Sequence, residues 1–60
     1  MTLGILLADD HAMFRSGLRA VLDTQPDFEC VAEVADGPAA VSETIRLRPD
    51  VAILDVSRLG

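Results

Sequence analysis

The sequence contains no lysine, and its five basic residues are all arginines. Against ten acidic residues they leave a formal net charge of −5. A segment that contacts DNA or RNA directly carries a basic face, because phosphate neutralisation dominates such binding. This charge balance therefore argues against direct nucleic-acid contact by these 60 residues.

Cysteine is almost absent as well. Cys30 is the only one, so no disulfide can form within the chain. A single thiol among apolar residues is typical of a small core side chain rather than a nucleophile. The apolar run at residues 3–8 lacks a preceding basic region and is far shorter than the roughly 20 residues that cross a bilayer. We therefore expect no membrane association and a cytoplasmic location.

Apolar residues, in contrast, make up 50% of the chain, which favours a globular fold over a disordered tail. Residues 3–8 form a short apolar run, typical of a strand buried on both faces, and residues 51–54 form a second apolar run that predicts another strand. In residues 28–34 one face is apolar and the other carries Glu29, Val31 and Glu33, which predicts a strand at a sheet edge. A chain of this size buries only about 60% of its unfolded surface, so we expect a thin core.

The two stretches between these strands have helical periodicity. Asp10 or His11 is expected at the N-cap of the first helix, which should stop near Thr24, and Gly17 is expected on its sheet-facing side. Asp36 is expected to cap the second helix. The predicted core-facing side chains are Phe14, Leu18, Val21 and Leu22 in the first helix, and Ala40, Val41, Thr44 and Ile45 in the second.

The order β-α-β-α-β with short connections predicts an α/β fold with a parallel sheet and right-handed crossovers. The carboxyl ends of neighbouring parallel strands meet at one edge, where such sheets bind ligands. Asp9 and Asp10 follow the first strand and Asp55 follows the third, so three carboxylates are expected to meet. Close like charges are destabilising unless a cation intervenes, and Mg²⁺ prefers oxygen ligands. The sequence therefore predicts an acidic Mg²⁺ pocket, although each acid alone also fits a cap or a turn.

The other charged residues have simpler interpretations. Arg15 and Arg19 are expected on the solvent face of the first helix, where they fit ordinary surface charge. His11 has no partner at metal-ligand spacing, so it is expected to cap the helix or lie at the surface rather than bind a metal. Ordinary solubilising charge also accounts for Asp23, Asp27, Glu29, Glu33, Glu43 and Asp50.

Five segments point to a family: ILLADDH at residues 5–11, FR at 14–15, GL at 17–18, VAEVADG at 31–37, and RPDVAILD at 48–55. With them the sequence resembles the front half of bacterial response-regulator receiver domains, the phosphorylated switches of two-component signalling. The subset it most resembles ends in a LuxR-type helix-turn-helix. The resemblance implies a flavodoxin- or CheY-like, doubly wound parallel-sheet fold. Residues 1–60 would be the N-terminal part of one incomplete receiver domain.

The resemblance also implies roles for individual residues. Asp55 would be the phosphoacceptor that takes a phosphoryl group from a sensor histidine kinase. Asp10 would bind Mg²⁺ directly, Asp9 through a water molecule, and Ser57 through its backbone carbonyl. Such a domain is a switch rather than a turnover enzyme, and it would control a DNA-binding output domain that these residues do not include.

One stretch departs from the family pattern. Members commonly have Met-Pro-Gly in the loop after the acceptor strand, whereas this sequence has Arg58-Leu59-Gly60. Loss of the proline removes a fixed φ from the loop that presents the Ser57 carbonyl. The geometry of the metal site or the fidelity of the switch is expected to differ from the family norm.

Two other interpretations stay open at this point. A fragment of a haloacid-dehalogenase-like phosphohydrolase also uses an aspartate nucleophile and Mg²⁺. That family, however, has Asp-x-Asp after its strand, where this sequence has Asp55 and then Ser57. The second interpretation is an inactive fragment or association module. The third strand would then have an unpaired edge, which is a template for self-association.

Overall fold

The computed structural model describes residues 1–55, and residues 56–60 lie outside the described part. Three strands and two helices alternate along it: β1 (Leu3–Asp9), α1 (Ala12–Asp23), β2 (Phe28–Val34), α2 (Gly37–Leu47) and β3 (Val51–Asp55). The predicted β-α-β-α-β arrangement is confirmed, and every predicted element is present.

The strands form one parallel sheet in the order β2-β1-β3, with β1 in the centre. Strand β2 lies at an edge, as its acidic face predicts. Between β1 and β3, the register sets Ile5 beside Val51 and Asp9 beside Asp55. The first and third strands therefore end at the same edge of the sheet, as predicted from the chain order.

The core is built on both faces of β1, which is buried from Ile5 to Asp9. Alternate strand residues point to opposite faces, so each helix covers a different set of β1 side chains. Leu22 of α1 packs with Ile5 and Leu7, and Ala40 of α2 packs with Leu6 and Ala8. The partly buried residues that complete these two clusters are Leu18, Cys30 and Ile53 on the first face, and Ala32 and Val34 on the second.

The predicted core faces of the helices are wrong at several positions. Phe14 and Val21 of α1 are 56% and 60% exposed, and Val41 and Ile45 of α2 are 62% and 72% exposed. The helices pack over β1 and β2, which leaves part of each apolar stripe uncovered. The predictions for Gly17 and Thr44 are also wrong. Thr44 is exposed, and a Cβ on Gly17 would meet no atom within 4 Å.

The predicted helix ends are confirmed. The Asp36 carboxylate accepts a hydrogen bond from the Ala39 amide at 2.8 Å, which caps α2. His11 occupies the N-cap position of α1, although its side chain makes no capping hydrogen bond. Helix α1 ends at Asp23 with Thr24 as its C-cap residue.

Asp50 has a structural contact that its assignment to surface charge did not predict. Its Oδ2 accepts a hydrogen bond from the Gly4 amide at 2.7 Å, and the Asp50 amide donates to the Gly4 carbonyl at 2.8 Å. A side chain on Gly4 would be crowded, because its Cβ would lie 3.3 Å from Val31 Cγ1. This paired contact fixes the entry into β3 against the start of β1.

On the side away from β1, strand β3 has no neighbouring strand among residues 1–55. A groove beside it is lined by Ala40, Val41, Thr44, Ile45, Ala52 and Leu54. Self-association through this edge stays a prediction. No helix within the described residues is long and apolar enough to span a membrane.

We expect Leu6→Ala to destabilise the fold by about 2–5 kcal/mol, because truncating a fully buried leucine removes apolar burial and leaves a cavity. The matched variant Ile45→Ala removes a side chain that is 72% exposed, so we expect it to cost less than about 0.5 kcal/mol. Urea unfolding followed by circular dichroism measures both. Equal losses in the two variants would contradict the packing described above.

Candidate functional site

The acidic residues that follow β1 form a compact cluster with the next residue along the chain. One potential ligand atom from each of Asp9, Asp10 and His11 lies within 4.8 Å of the other two. Asp9 is the last residue of the buried strand and is only 2% exposed, whereas Asp10 and His11 are exposed. The cluster therefore extends from the sheet interior to the surface.

Asp9 is bound on one carboxylate oxygen only. Its Oδ1 accepts a hydrogen bond from the His11 amide at 2.8 Å. Its Oδ2 is buried and has no hydrogen-bond partner in the described part of the chain. A buried oxygen without a partner costs about 1–3 kcal/mol, and more when the group is charged. An additional positive or hydrogen-bonding group at this oxygen would remove that cost.

The structure places His11 against both acids, which the sequence did not predict. Its Nδ1 lies 2.9 Å from Asp10 Oδ1 and 3.5 Å from Asp9 Oδ1. The expectation that His11 has no partner at metal-ligand spacing was wrong, because Asp9 and Asp10 each offer a potential ligand atom within 4.8 Å of it. Its side chain is nevertheless 67% exposed, which agrees with the predicted surface position.

Asp55 ends β3 directly beside Asp9, its partner in the parallel register. Neighbouring strands lie about 4.8 Å apart, so the two backbones are close at this edge. Asp55 is exposed and is not part of the three-residue group within 4.8 Å. The predicted Ser57 carbonyl and the Arg58-Leu59 departure lie outside the described residues.

The residues present fit a hard divalent cation. The cluster supplies carboxylate oxygens, one of them a buried atom without a partner, and such cations prefer oxygen ligands. The Asp-Asp-His cluster can therefore hold a metal ion.

A second layer of charged residues lies behind this cluster. Arg15 of α1 donates from Nη1 to the Asp9 backbone carbonyl at 2.7 Å, and its Nε lies 3.4 Å from Glu33 Oε1. Arg19 binds the other oxygen of Glu33 through Nη1. Arg15 and Glu33 are therefore more than ordinary surface charge, which corrects the prediction. The sequence did offer one signal for the contact with Asp9. Arg15 comes one helical turn after His11, which places it near the end of β1.

The hydrogen bond from Arg19 lowers the pKa of Glu33 below its ordinary value, and the charges of Arg19 and Arg15 act in the same direction. The same contact raises the pKa of Arg19. Glu33 thus remains ionised on the surface of β2 and holds two arginines of α1. This ion-pair group ties the helix to the edge strand beside the acidic cluster.

Residues 5–57 match the response regulator receiver domain family. The chain is 46% identical over 56 residues to the transcriptional regulatory protein LiaR of Bacillus subtilis, covering 93% of this chain and 26% of LiaR. It is 49% identical over 53 residues to the oxygen regulatory protein NreC of Staphylococcus epidermidis, covering 88% of this chain and 24% of NreC. The chain thus spans about a quarter of the length of these curated relatives.

Two solved structures share the fold. The receiver domain of the putative response regulator NarL from Mycobacterium tuberculosis has a TM-score of 0.89 and 34% identity, covering 97% of this chain and 46% of that one. The response regulator domain of Thermotoga maritima CheB gives the same TM-score and identity, covering 100% of this chain and 46% of that one.

These matches agree with the architecture described above, in which a parallel sheet carries aspartates at the ends of adjacent strands. The chain belongs to the response regulator receiver domain family. Members of this family are signalling proteins. The haloacid-dehalogenase and inactive-fragment interpretations are not favoured.

The contact with Arg19 gives a pH prediction for Glu33. Because its pKa is lowered in the folded chain, Glu33 contributes stability that is full above the unfolded value of about 4.3 and is lost as pH falls through the folded value. We expect Arg19→Ala to move the Glu33 carboxyl titration upward, as followed by carbon NMR. Arg46→Ala is the matched control, because Arg46 pairs with Glu43 instead. An unchanged Glu33 titration in Arg19→Ala would contradict the assigned contact.

Proposed function

We propose that this chain is the phosphoacceptor segment of a two-component response regulator, with Asp55 as the residue that accepts the phosphoryl group. The observation that carries the proposal is the β1–β3 register. It sets Asp55 beside Asp9, at the edge where Asp9 and Asp10 form the acidic cluster. The receiver-domain match over residues 5–57 supports the same assignment.

In the proposed reaction, a carboxylate oxygen of Asp55 attacks the phosphorus of a phosphohistidine on the sensor kinase. A P–O bond forms, the P–N bond breaks, and the imidazole nitrogen keeps the electron pair and takes up a proton. The product is an acyl phosphate on Asp55. Exposure of Asp55 at the end of β3 suits this step, because a donor carried by another protein must approach it.

The reaction brings an anionic donor to an anionic nucleophile, so positioning and charge neutralisation dominate catalysis. The residues that would hold Mg²⁺ are Asp10 and Asp55 directly, Asp9 through water, and Ser57 through its carbonyl. When bound, the cation supplies charge neutralisation. Asp9 contributes a buried carboxylate that the backbone fixes in place, with one oxygen still available.

The partners follow from this role. A sensor histidine kinase would supply the phosphoryl group, in the cytoplasm. LiaR is a transcriptional regulatory protein, and we extend transcriptional output to the protein that contains this segment. DNA would be bound by a separate output domain, because these residues carry a net charge of −5 and no lysine. The segment itself would act as the switch.

We expect Asp55→Asn to abolish labelling by a small phosphodonor such as acetyl phosphate, because an amide is not a competent nucleophile. The measurement is intact-protein mass after incubation with donor and Mg²⁺, followed by hydroxylamine, which cleaves acyl phosphates. Asp27→Asn is the matched control, because Asp27 precedes β2 and is far along the chain from the cluster. Undiminished labelling of Asp55→Asn would overturn the assignment.

We expect Asp10→Ala to weaken Mg²⁺ binding by at least about tenfold, because it removes a charged oxygen ligand from the cluster. Isothermal titration calorimetry, or competition against Mn²⁺, measures the affinity. Asp27→Asn again serves as the control for a simple change in net charge. Equal affinity in Asp10→Ala and the unmodified chain would refute the metal assignment of Asp10.

A further inference from the structure

Arg15 is the only arginine among residues 1–55 whose described contacts include the backbone of the acidic cluster. It lies in the first turn of α1, and its side chain is 21% exposed. Nη1 donates to the Asp9 carbonyl oxygen at 2.7 Å. Nε lies 3.4 Å from Glu33 Oε1, which is within ion-pair distance. One guanidinium therefore joins the end of β1 to the edge strand β2.

This arrangement uses the shape of the guanidinium group. Its planar fork donates a hydrogen bond to Asp9 on one strand while Nε lies within ion-pair distance of Glu33 on another, which the single ammonium of lysine cannot do in the same way. A hydrogen bond from a charged donor is roughly twice as strong as one between neutral groups. The Asp9 carbonyl is thus held from the helix side, while Asp9 Oδ1 is held by the His11 amide at 2.8 Å.

We propose that Arg15 is a positioning residue that fixes the end of β1, so that the Asp9 and Asp10 carboxylates stand in place for a divalent cation. This inference rests on the proposed function, because it assigns Arg15 a role at that metal site. Arg15 acts through the Asp9 backbone and does not itself bind the cation. The buried Oδ2 of Asp9 has no hydrogen-bond partner of its own in the described residues, so its direction is set through the Asp9 backbone and through Oδ1.

Arg19 provides a matched comparison within the same helix. It also pairs with Glu33, and it lies 3.8 Å from Asp23. Its described contacts do not include Asp9. A variant of Arg19 therefore disturbs the same ion-pair group and removes the same charge, while leaving the Asp9 carbonyl bonded to Arg15.

The positioning role and simple electrostatics predict opposite results. Removing a positive charge near a cation site strengthens cation binding, because it removes a Coulomb repulsion of the cation. Losing a group that orients the metal ligands weakens cation binding. Changing residues that hydrogen-bond to metal ligands typically lowers the affinity 10- to 100-fold. The sign of the change in affinity on Arg15→Ala thus separates the two effects.

The experiment measures Mn²⁺ binding to the intact chain by electron paramagnetic resonance, in Arg15→Ala, Arg15→Lys and Arg19→Ala. We expect about tenfold weaker binding in Arg15→Ala and an intermediate loss in Arg15→Lys. For Arg19→Ala we expect a change of less than about twofold, since ligand orientation is preserved and exposed charges are screened. Circular dichroism checks the fold of each variant, and Arg15→Lys retains the test if Arg15→Ala unfolds.

A second readout needs no metal. The His11 amide donates to Asp9 Oδ1, so its hydrogen exchange reports whether the carboxylate keeps its place. We expect faster exchange of this amide in Arg15→Ala and not in Arg19→Ala. Unchanged or tighter Mn²⁺ binding in Arg15→Ala would overturn the positioning role while leaving the proposed function intact. Absence of Mn²⁺ binding by the unmodified chain would instead overturn the proposed function.

Discussion

The buried central strand β1 is the constraint on which the rest of the molecule depends. Both helices pack against it, on opposite faces, and both other strands pair with it. Its five consecutive buried residues end in a carboxylate that is 2% exposed. Apolar burial therefore does more than stabilise this fold, because it carries an ionisable group to the sheet edge and withdraws it from water at an energetic cost.

The surroundings of Asp9 offset that cost in part. The His11 amide binds one carboxylate oxygen and Arg15 binds the backbone carbonyl, but the second carboxylate oxygen has no partner in the described chain. A group held from two sides with one oxygen still available is organised for a further positive charge. This buried oxygen without a partner is the physical reason for treating the cluster as more than a helix cap.

Features that depend on short sequence patterns were predicted better than features that depend on contacts between residues far apart in the sequence. Strand β1, the Asp36 cap and the common end of β1 and β3 follow from short motifs and from chain order. Exposure of Val41 and Ile45 could not be predicted, because an apolar stripe shows what can be buried and not what covers it. The contact of Arg15 with Glu33 depends on β2, which is separated from Arg15 in the sequence and is brought close by the crossover.

The two halves of the proposed site differ in how firmly the fold holds them. Asp9 ends the most buried strand, whereas Asp55 ends a strand in which only Ile53 is less than exposed. Segments with few buried apolar contacts open more easily than core strands. Within residues 1–55, the acidic cluster after β1 is therefore held by the core, whereas Asp55 ends a strand that the core covers less.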